Sequence, residues 1–246
     1  MDVKYEIYDL GGNPTAVILA DLSKSDGLAA QREIMQEHPD IEQVALIQKT
    51  EGETCHFRMA GGEFCGNAIR AVAGYMHRNH NAPESKIIIN GINVHAKAIL
   101  GPGLTPGNEI TIDKDILLKE VKKIDGKTVV ILNGITHVII DDPDVDGDSV
   151  ARIKNDFNRK GITAEAFGVM LLNGEDLNPY VWVESAQTFF NETACLSGSI
   201  AVALHRGTEK CTVIQPTGAP YTITITPTQI TASGPIQYLD TGTIKI

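Results

Sequence analysis

The chain repeats itself, and that repetition limits its architecture more than any other feature. Asn13-Pro14-Thr15-Ala16-Val17-Ile18 is echoed 121 residues later by Gly134-Ile135-Thr136-His137-Val138-Ile139. A helix-like stretch from Leu28 to Glu37, entered through Ser25 and Asp26, has a counterpart from Val150 to Lys160. In the second copy Val150, Ile153 and Phe157 share one face, Asp148 and Ser149 offer caps, and Gly161 is a stop. The hairpin Val44–Gln48 with His56–Met59 returns as Val169–Asn173 with Tyr180–Val183. Cys65 stands six residues before Ala71-Val72-Ala73, and Cys195 stands six before Ala201-Val202-Ala203, an offset of 130. Ordered matches whose offset drifts so little predict a duplicated α/β unit. Each copy ends in β-rich sequence, Lys86 to Ile112 and Cys211 to Ile246, and Tyr221–Thr226 alternates as a half-buried strand should. The charged stretch Asp113 to Asp125 is the expected boundary. It gives halves of residues 1–117, carrying Cys65, and 118–246, carrying Cys195, with the last strand free to return to the first half.

Composition narrows the class. A chain of 246 residues suits one large domain or two small ones. With 42% hydrophobic and 21% charged residues it is neither disordered, collagen-like nor a coiled coil. The longest apolar candidate, Thr128 to Ile140, is broken by Asn133, Gly134, Thr136 and His137, so no membrane span is expected. Asp2, Lys4 and Glu6 leave no apolar signal core near the start, which points to the cytoplasm. Acidic residues outnumber basic ones 31 to 21, and the net charge of −10 without a basic patch argues against a nucleic-acid or anionic-membrane partner. A homodimer is left open.

Four cysteines, Cys55, Cys65, Cys195 and Cys211, form no C-x-x-C pair, which removes zinc-ribbon and thioredoxin readings. Free thiols are expected, and no metal site. Asp142-x-Asp144-x-Asp146-Gly147 opens like a calcium loop, but its closing position is Ile153. Asp125-Gly126-Lys127-Thr128 imitates the end of a phosphate loop, yet Val121 stands where the first glycine belongs. There is no G-x-S-x-G elbow, and Gly61, Gly62 and Gly66 make no dinucleotide fingerprint.

The repeated cysteines carry the chemistry. Gly61–Asn67 reads as a turn feeding an apolar helix, and Asn191–Gly198 as a second. A thiol at a helix N-terminus meets free N–H groups and the positive dipole end, which should lower its pKa. The same groups bind a carboxylate. Pseudo-two-fold packing of the halves would bring both thiols to one cleft from opposite sides. Inverting a stereocentre needs a base on one face and an acid on the other, and a thiolate–thiol pair supplies both. Helix N-termini aimed at the developing carbanion would stabilise it, so no cofactor is required.

These residues also carry a resemblance. Cys65-Gly66-Asn67 and Glu192-Thr193-Ala194-Cys195-x-Ser197-Gly198 resemble the two cysteine motifs of the diaminopimelate epimerase superfamily, cofactor-independent amino-acid racemases and epimerases. Asn13, Glu42-Gln43 and Gly168-Val169 also fall at family positions, so the resemblance spans nearly the whole chain. It implies an α/β (α+β) fold of two pseudo-symmetric halves, each a β-barrel-like sheet around a central helix. It further implies Cys65 and Cys195 as catalytic residues, with Asn13, Glu42, Gly66, Asn67, Glu192, Leu196 and Ser197 around a small amino-acid substrate. The family's distal asparagines are matched here by Met59, Ile135 and Met170, and its arginine is missing between Ser185 and Glu192. Those losses imply a substrate without a distal amino-acid group.

The pattern Met59-Ala60-Gly61-Gly62-Glu63-Phe64-Cys65-Gly66-Asn67, with Glu42-Gln43-Val44 and a Gln215–Gly218 turn, is similar to that of histidine racemases of opine-type metallophore synthesis. Histidine is therefore the expected substrate, with Glu42 or Glu192 holding its ammonium or imidazole. One departure stands out: Leu196 occupies the family's glycine position, where its side chain must turn away from a bound carboxylate. Diaminopimelate or another amino acid is the alternative substrate, and a ligand-binding member without catalysis the alternative class. Cys55 and Cys211 read as core filler, and His137 as a satisfied core histidine.

Overall fold

Period-two patterning decides most of the architecture. In the computed structural model, which describes residues 1–99, 107–142 and 145–246, the strand Glu84–Ile89 buries Ser85, Ile87 and Ile89. Its Glu84 and Lys86 face outward. By contrast Ala166–Asn173 is buried on both faces up to its last residue, as a strand sandwiched between helices must be. Asp144 of the calcium-loop pattern lies outside the described residues.

The first half runs β1 (Asp2–Asp9), β2 (Pro14–Ile18), α1 (Lys24–Glu37), β3 (Gln43–Glu51), β4 (Thr54–Met59), α2 (Gly66–His80), β5 (Glu84–Ile89), β6 (Ile92–Ile99) and β7 (Gly107–Asp113). The charged stretch that follows forms a helical turn, α3 (Lys114–Leu117), and a strand, β8 (Leu118–Ile124). Then come β9 (Lys127–Leu132), β10 (Ile135–Asp141), α4 (Val150–Arg159), β11 (Ala166–Asn173), β12 (Asp176–Val183), β13 (Thr188–Asn191) and α5 (Leu196–Arg206). The chain finishes with β14 (Lys210–Ile214), β15 (Pro220–Ile225), β16 (Gln229–Pro235) and β17 (Gln237–Lys245).

The strand pairings lay the two copies over one another. In the first, β1–β2 and β3–β4 are antiparallel, while β2–β3 and β4–β5 are parallel across α1 and α2. In the second, β9–β10 and β11–β12 are antiparallel, while β10–β11 and β12–β14 are parallel across α4 and α5. Antiparallel pairing of β7 with β16 joins the copies into one sheet. Each copy also gains an outer strand: β8 pairs with β9 from the connection, and β17 pairs with β1 from the far end of the chain. The sheet of the first copy therefore depends on the last strand.

Helix α2 is wrapped by β1 to β7, and α5 by β9 to β11 and β14 to β16. Both are buried along most of their length, and their shared core holds Phe57, Phe64, Val72, Ile200, Val202 and Tyr221. Helices α1 and α4 cover the outer faces over separate small cores, around Ile34 and Leu46 and around Val150 and Phe157. Helix α1 begins earlier than the sequence suggests. Ser23, not Ser25 or Asp26, is its cap, because the Asp26 N–H donates to Ser23 Oγ at 3.1 Å and the Ser23 hydroxyl donates back to the Asp26 carboxylate. At α4 the side chain of Asp146 accepts from the Ser149 N–H at the head of a preceding 3-10 turn, and Ser149 itself makes no side-chain cap.

Where β17 closes the first sheet, Tyr5 lies opposite Gly242. A Cβ on residue 242 would come within 2.2 Å of the Tyr5 ring, which is buried. Gly242→Ala should therefore cost roughly 1–3 kcal/mol of stability by overpacking. Urea unfolding should show the loss as a lower midpoint with an unchanged slope.

Candidate active site

Both repeated cysteines are helix N-caps. Cys65 precedes α2 with φ −133° and ψ 112°, and Cys195 precedes α5 with φ −137° and ψ 106°. In each case the sulfur accepts from the backbone N–H three residues on, Ala68 at 3.4 Å and Gly198 at 3.3 Å. The two helices pack against each other at these ends. Gly66 makes the approach possible, since a Cβ there would stand 2.9 Å from Leu196 Cβ. Leu196 thus fills the gap between the helix heads.

The two thiols line one narrow cleft between the lobes. Of the expected site residues, Glu42, Gly66, Asn67, Glu192, Leu196 and Ser197 line it as well. Asn13 does not: it is fully buried behind Glu42, and its amide donates to the Glu42 carboxylate. The Asn67 side chain ties the lobes together, donating to the Ala194 carbonyl at 2.8 Å and accepting from Tyr221 Oη at 3.2 Å. Ile135 reaches the cleft, while Met59 and Met170 are buried outside its wall. The apolar wall is instead built by Val44, Phe64, Val181, Val183 and Phe190.

Carboxylates dominate the electrostatics. Glu42 reaches across from the residue before β3 and accepts from the Thr193 N–H and hydroxyl, both at 3.0 Å. Gln43 Nε2 donates to Glu192 Oε1 at 2.8 Å. The other oxygen of Glu192 and one oxygen of Glu63 are buried without a partner among the described residues. Burial pushes Glu42 and Glu63 up to about 7 and Glu192 up to about 8, the last also repelled by Glu42. No lysine, arginine or histidine is among the described lining residues.

The thiols behave differently from the sequence expectation. Helix N–H groups do lower their pKa values, but burial and the Glu192 charge outweigh that effect, and both thiols are raised. The helix start was visible in the sequence; the desolvation was not, because the opposite lobe causes it.

Three residues of the second lobe that the sequence marked only as core or by motif make contacts it did not reveal. His137, on β10, approaches Ser197 Oγ at 3.1 Å through Nε2, and Ser197 Oγ lies 3.6 Å from Cys195 Sγ. Burial pushes the imidazole pKa down to about 3 and holds it neutral, and its Nδ1 has no partner among the described residues. Gly168 opposite it allows the ring to lie across β11, since a Cβ there would meet Nδ1 at 2.2 Å. Gln215 accepts from the Cys195 N–H at 2.8 Å and donates to Ser199 Oγ at 2.9 Å, bracing the start of α5. Its position in a Gln-Pro-x-Gly turn was the available signal. Cys55 and Cys211 are buried away from the cleft, and all four cysteines are free. Among the described residues no cluster suits a metal ion, and no helix is long and apolar enough to cross a membrane.

The fold is that of racemases and epimerases of known structure. It matches a predicted epimerase from Pseudomonas aeruginosa with a TM-score of 0.69 at 11% identity, covering 98% of this chain and 99% of that one. It matches a hydroxyproline epimerase from Agrobacterium vitis, solved with trans-4-hydroxy-L-proline, with a TM-score of 0.65 at 11% identity, over 99% and 92% of the two chains. In sequence the chain resembles histidine racemases. Residues 8–99 match the family described as the histidine racemase CntK N-terminal domain. A histidine racemase of Fusobacterium nucleatum subsp. nucleatum is 28% identical over 100% of this chain and 99% of its own length.

The raised acids set a pH dependence. Glu192 and Glu42 bind protons more tightly in the folded chain than in the unfolded one, so their contribution to stability is full below about pH 4.5. It is lost as pH rises towards 8. Glu192→Gln should remove its share, and urea titrations should show the variant gaining on the wild type between pH 5 and pH 8. A constant difference across that range would contradict the assignment.

Proposed function

We propose that the chain is an amino-acid racemase that interconverts L- and D-histidine without a cofactor, with Cys65 and Cys195 as its two bases. The observation that carries this reading is the pair of N-cap thiols in one acid-lined cleft. The full-length resemblance to histidine racemases supports it.

The chemistry follows from the wall. A carboxylate binds at the paired helix heads, where the N–H groups of Gly66, Asn67, Leu196 and Ser197 are the first of each helix. A substrate carboxylate held there accumulates the charge of the carbanion, and fixed N–H donors favour that state. One sulfur, as thiolate, removes the α-proton; the other, as thiol, returns one to the opposite face. Atoms balance, and the roles exchange for the reverse reaction.

The raised thiols fit this cycle. Glu192 repels thiolate at both cysteines. An α-ammonium beside Glu192 cancels that repulsion, so the substrate itself makes its base easier to form. A cleft walled by carboxylates with no basic residue in its described lining favours an amino acid with a second nitrogen.

Cys65→Ala and Cys195→Ala should each abolish racemization of histidine, followed by optical rotation, while the remaining thiol can still exchange the α-proton of one enantiomer in deuterium oxide. Racemization surviving in either variant would exclude the two-base mechanism. Wild-type exchange restricted to a different amino acid would instead correct the substrate. Spacing of the helix heads gives a second test. Gly66→Ala forces its Cβ against Leu196, and such misplacement should lower turnover about tenfold or more. Leu196→Gly in the same chain should recover part of the loss.

A further inference from the structure

We infer that Glu63 selects the side chain of the substrate, accepting an imidazole N–H or another short-reach nitrogen donor, while Glu192 accepts the α-ammonium. The inference rests on the racemase reading above and gives its side-chain pocket an acceptor.

Three carboxylates line the cleft, but they are not equivalent. Glu42 is occupied: one oxygen takes the Thr193 N–H and hydroxyl, and the other takes the Asn13 amide. Glu192 is half occupied, with Gln43 on Oε1 and no hydrogen-bond partner for Oε2 among the described residues. Glu63 also carries a buried oxygen without a partner among the described residues. A buried acceptor left unpaired is destabilising, and more so when charged. Two such acceptors in one cleft call for a ligand with two donors. An α-amino acid brings one in its ammonium and needs a second on its side chain. Alanine and phenylalanine lack it; histidine has it.

The backbone is shaped to hold Glu63 in this position. A Cβ on Gly61 would come within 2.5 Å of Glu63 Oε2 and 2.8 Å of Val183 Cγ1, so only glycine lets the carboxylate fold back against β12. Ser185, beyond Val183, fastens that contact by donating to the Gly61 carbonyl at 2.7 Å. Thr193 stands at the matching position before Cys195 and is taken up by Glu42; Glu63 has no such partner. The repeat is therefore broken where a substrate would need one end to differ from the other.

The order of the two acids follows from what holds them. Glu192 is tied to Gln43 of the opposite lobe at 2.8 Å, at the seam where the thiols meet, whereas Glu63 lies folded back against Gly61 beside Val183 on the wall. Glu192 is thus assigned to the end near the reacting carbon and Glu63 to the side-chain end. Val181, Val183 and Phe190 add apolar lining to the same cleft, suited to the faces of a flat ring.

The test is Glu63→Gln, with L-histidine binding measured by calorimetry and α-proton exchange measured in parallel. A side-chain contact made equally in the ground and transition states changes affinity and leaves turnover at saturation largely intact. Loss of a charge-assisted hydrogen bond should weaken histidine binding about 10- to 100-fold. Exchange at saturation should stay within about fivefold of the wild type. Glu63→Asp should recover part of the affinity. Unchanged affinity, or a fall in turnover at unchanged affinity, overturns the inference. Wild-type binding of histidine without exchange removes the racemase reading, and weaker binding by Glu63→Gln would then still support this one. A wild type that binds no histidine overturns both.

Discussion

A helix needs acceptors for its first amide groups, and in both halves of this chain a cysteine sulfur provides one. That single contact fixes each thiol at a helix head, with nearly the same backbone angles in both copies. The lobes then pack so that the two heads meet across Gly66 and Leu196. Everything else about the cleft is arranged around that meeting. Glu42 and Gln43 of one lobe hold Thr193 and Glu192 of the other, and Asn67 holds Ala194.

The same packing reverses the electrostatics that an isolated helix would give. On a solvated helix a capping cysteine is acidified by the dipole. Between two lobes it loses water and gains Glu192 as a neighbour, and both effects favour the neutral thiol. Both sulfurs are therefore held as neutral thiols, and under the racemase reading proposed above an entering ammonium would offset the Glu192 charge.

Much of this was legible in the sequence, for physical reasons that differ by residue. Duplication, the hairpins and the cysteine-headed helices are local patterns, and local patterns survive in a linear reading. The end of α4 at Gly161 was readable because a glycine there takes a φ of +78°. The start of α1 was not, since Ser23, Ser25 and Asp26 are equally good caps on paper and only the reciprocal bond chooses between them. The charged stretch after β7 read as a boundary, yet it supplies β8, whose pairing with β9 is a tertiary matter. Met59 and Met170, which match the family's distal asparagines, are buried in the shared core and do not line the cleft. Glu63 was visible only as part of a motif, because its significance comes from Val183 and Ser185, more than a hundred residues away.

The pairing of β17 with β1 has a consequence for how the molecule comes into being. These strands are separated by nearly the entire sequence, with Val3 opposite Ile244. A nascent chain emerging from the ribosome can assemble helices and hairpins as they appear. Its first lobe must still wait with an open sheet edge until the final residues arrive. Closing so long a loop carries a large entropic barrier and leaves that edge exposed to stray partners in the interval. The first lobe is thus closed only after the second has been made, because the strand that closes it follows the second lobe in the chain.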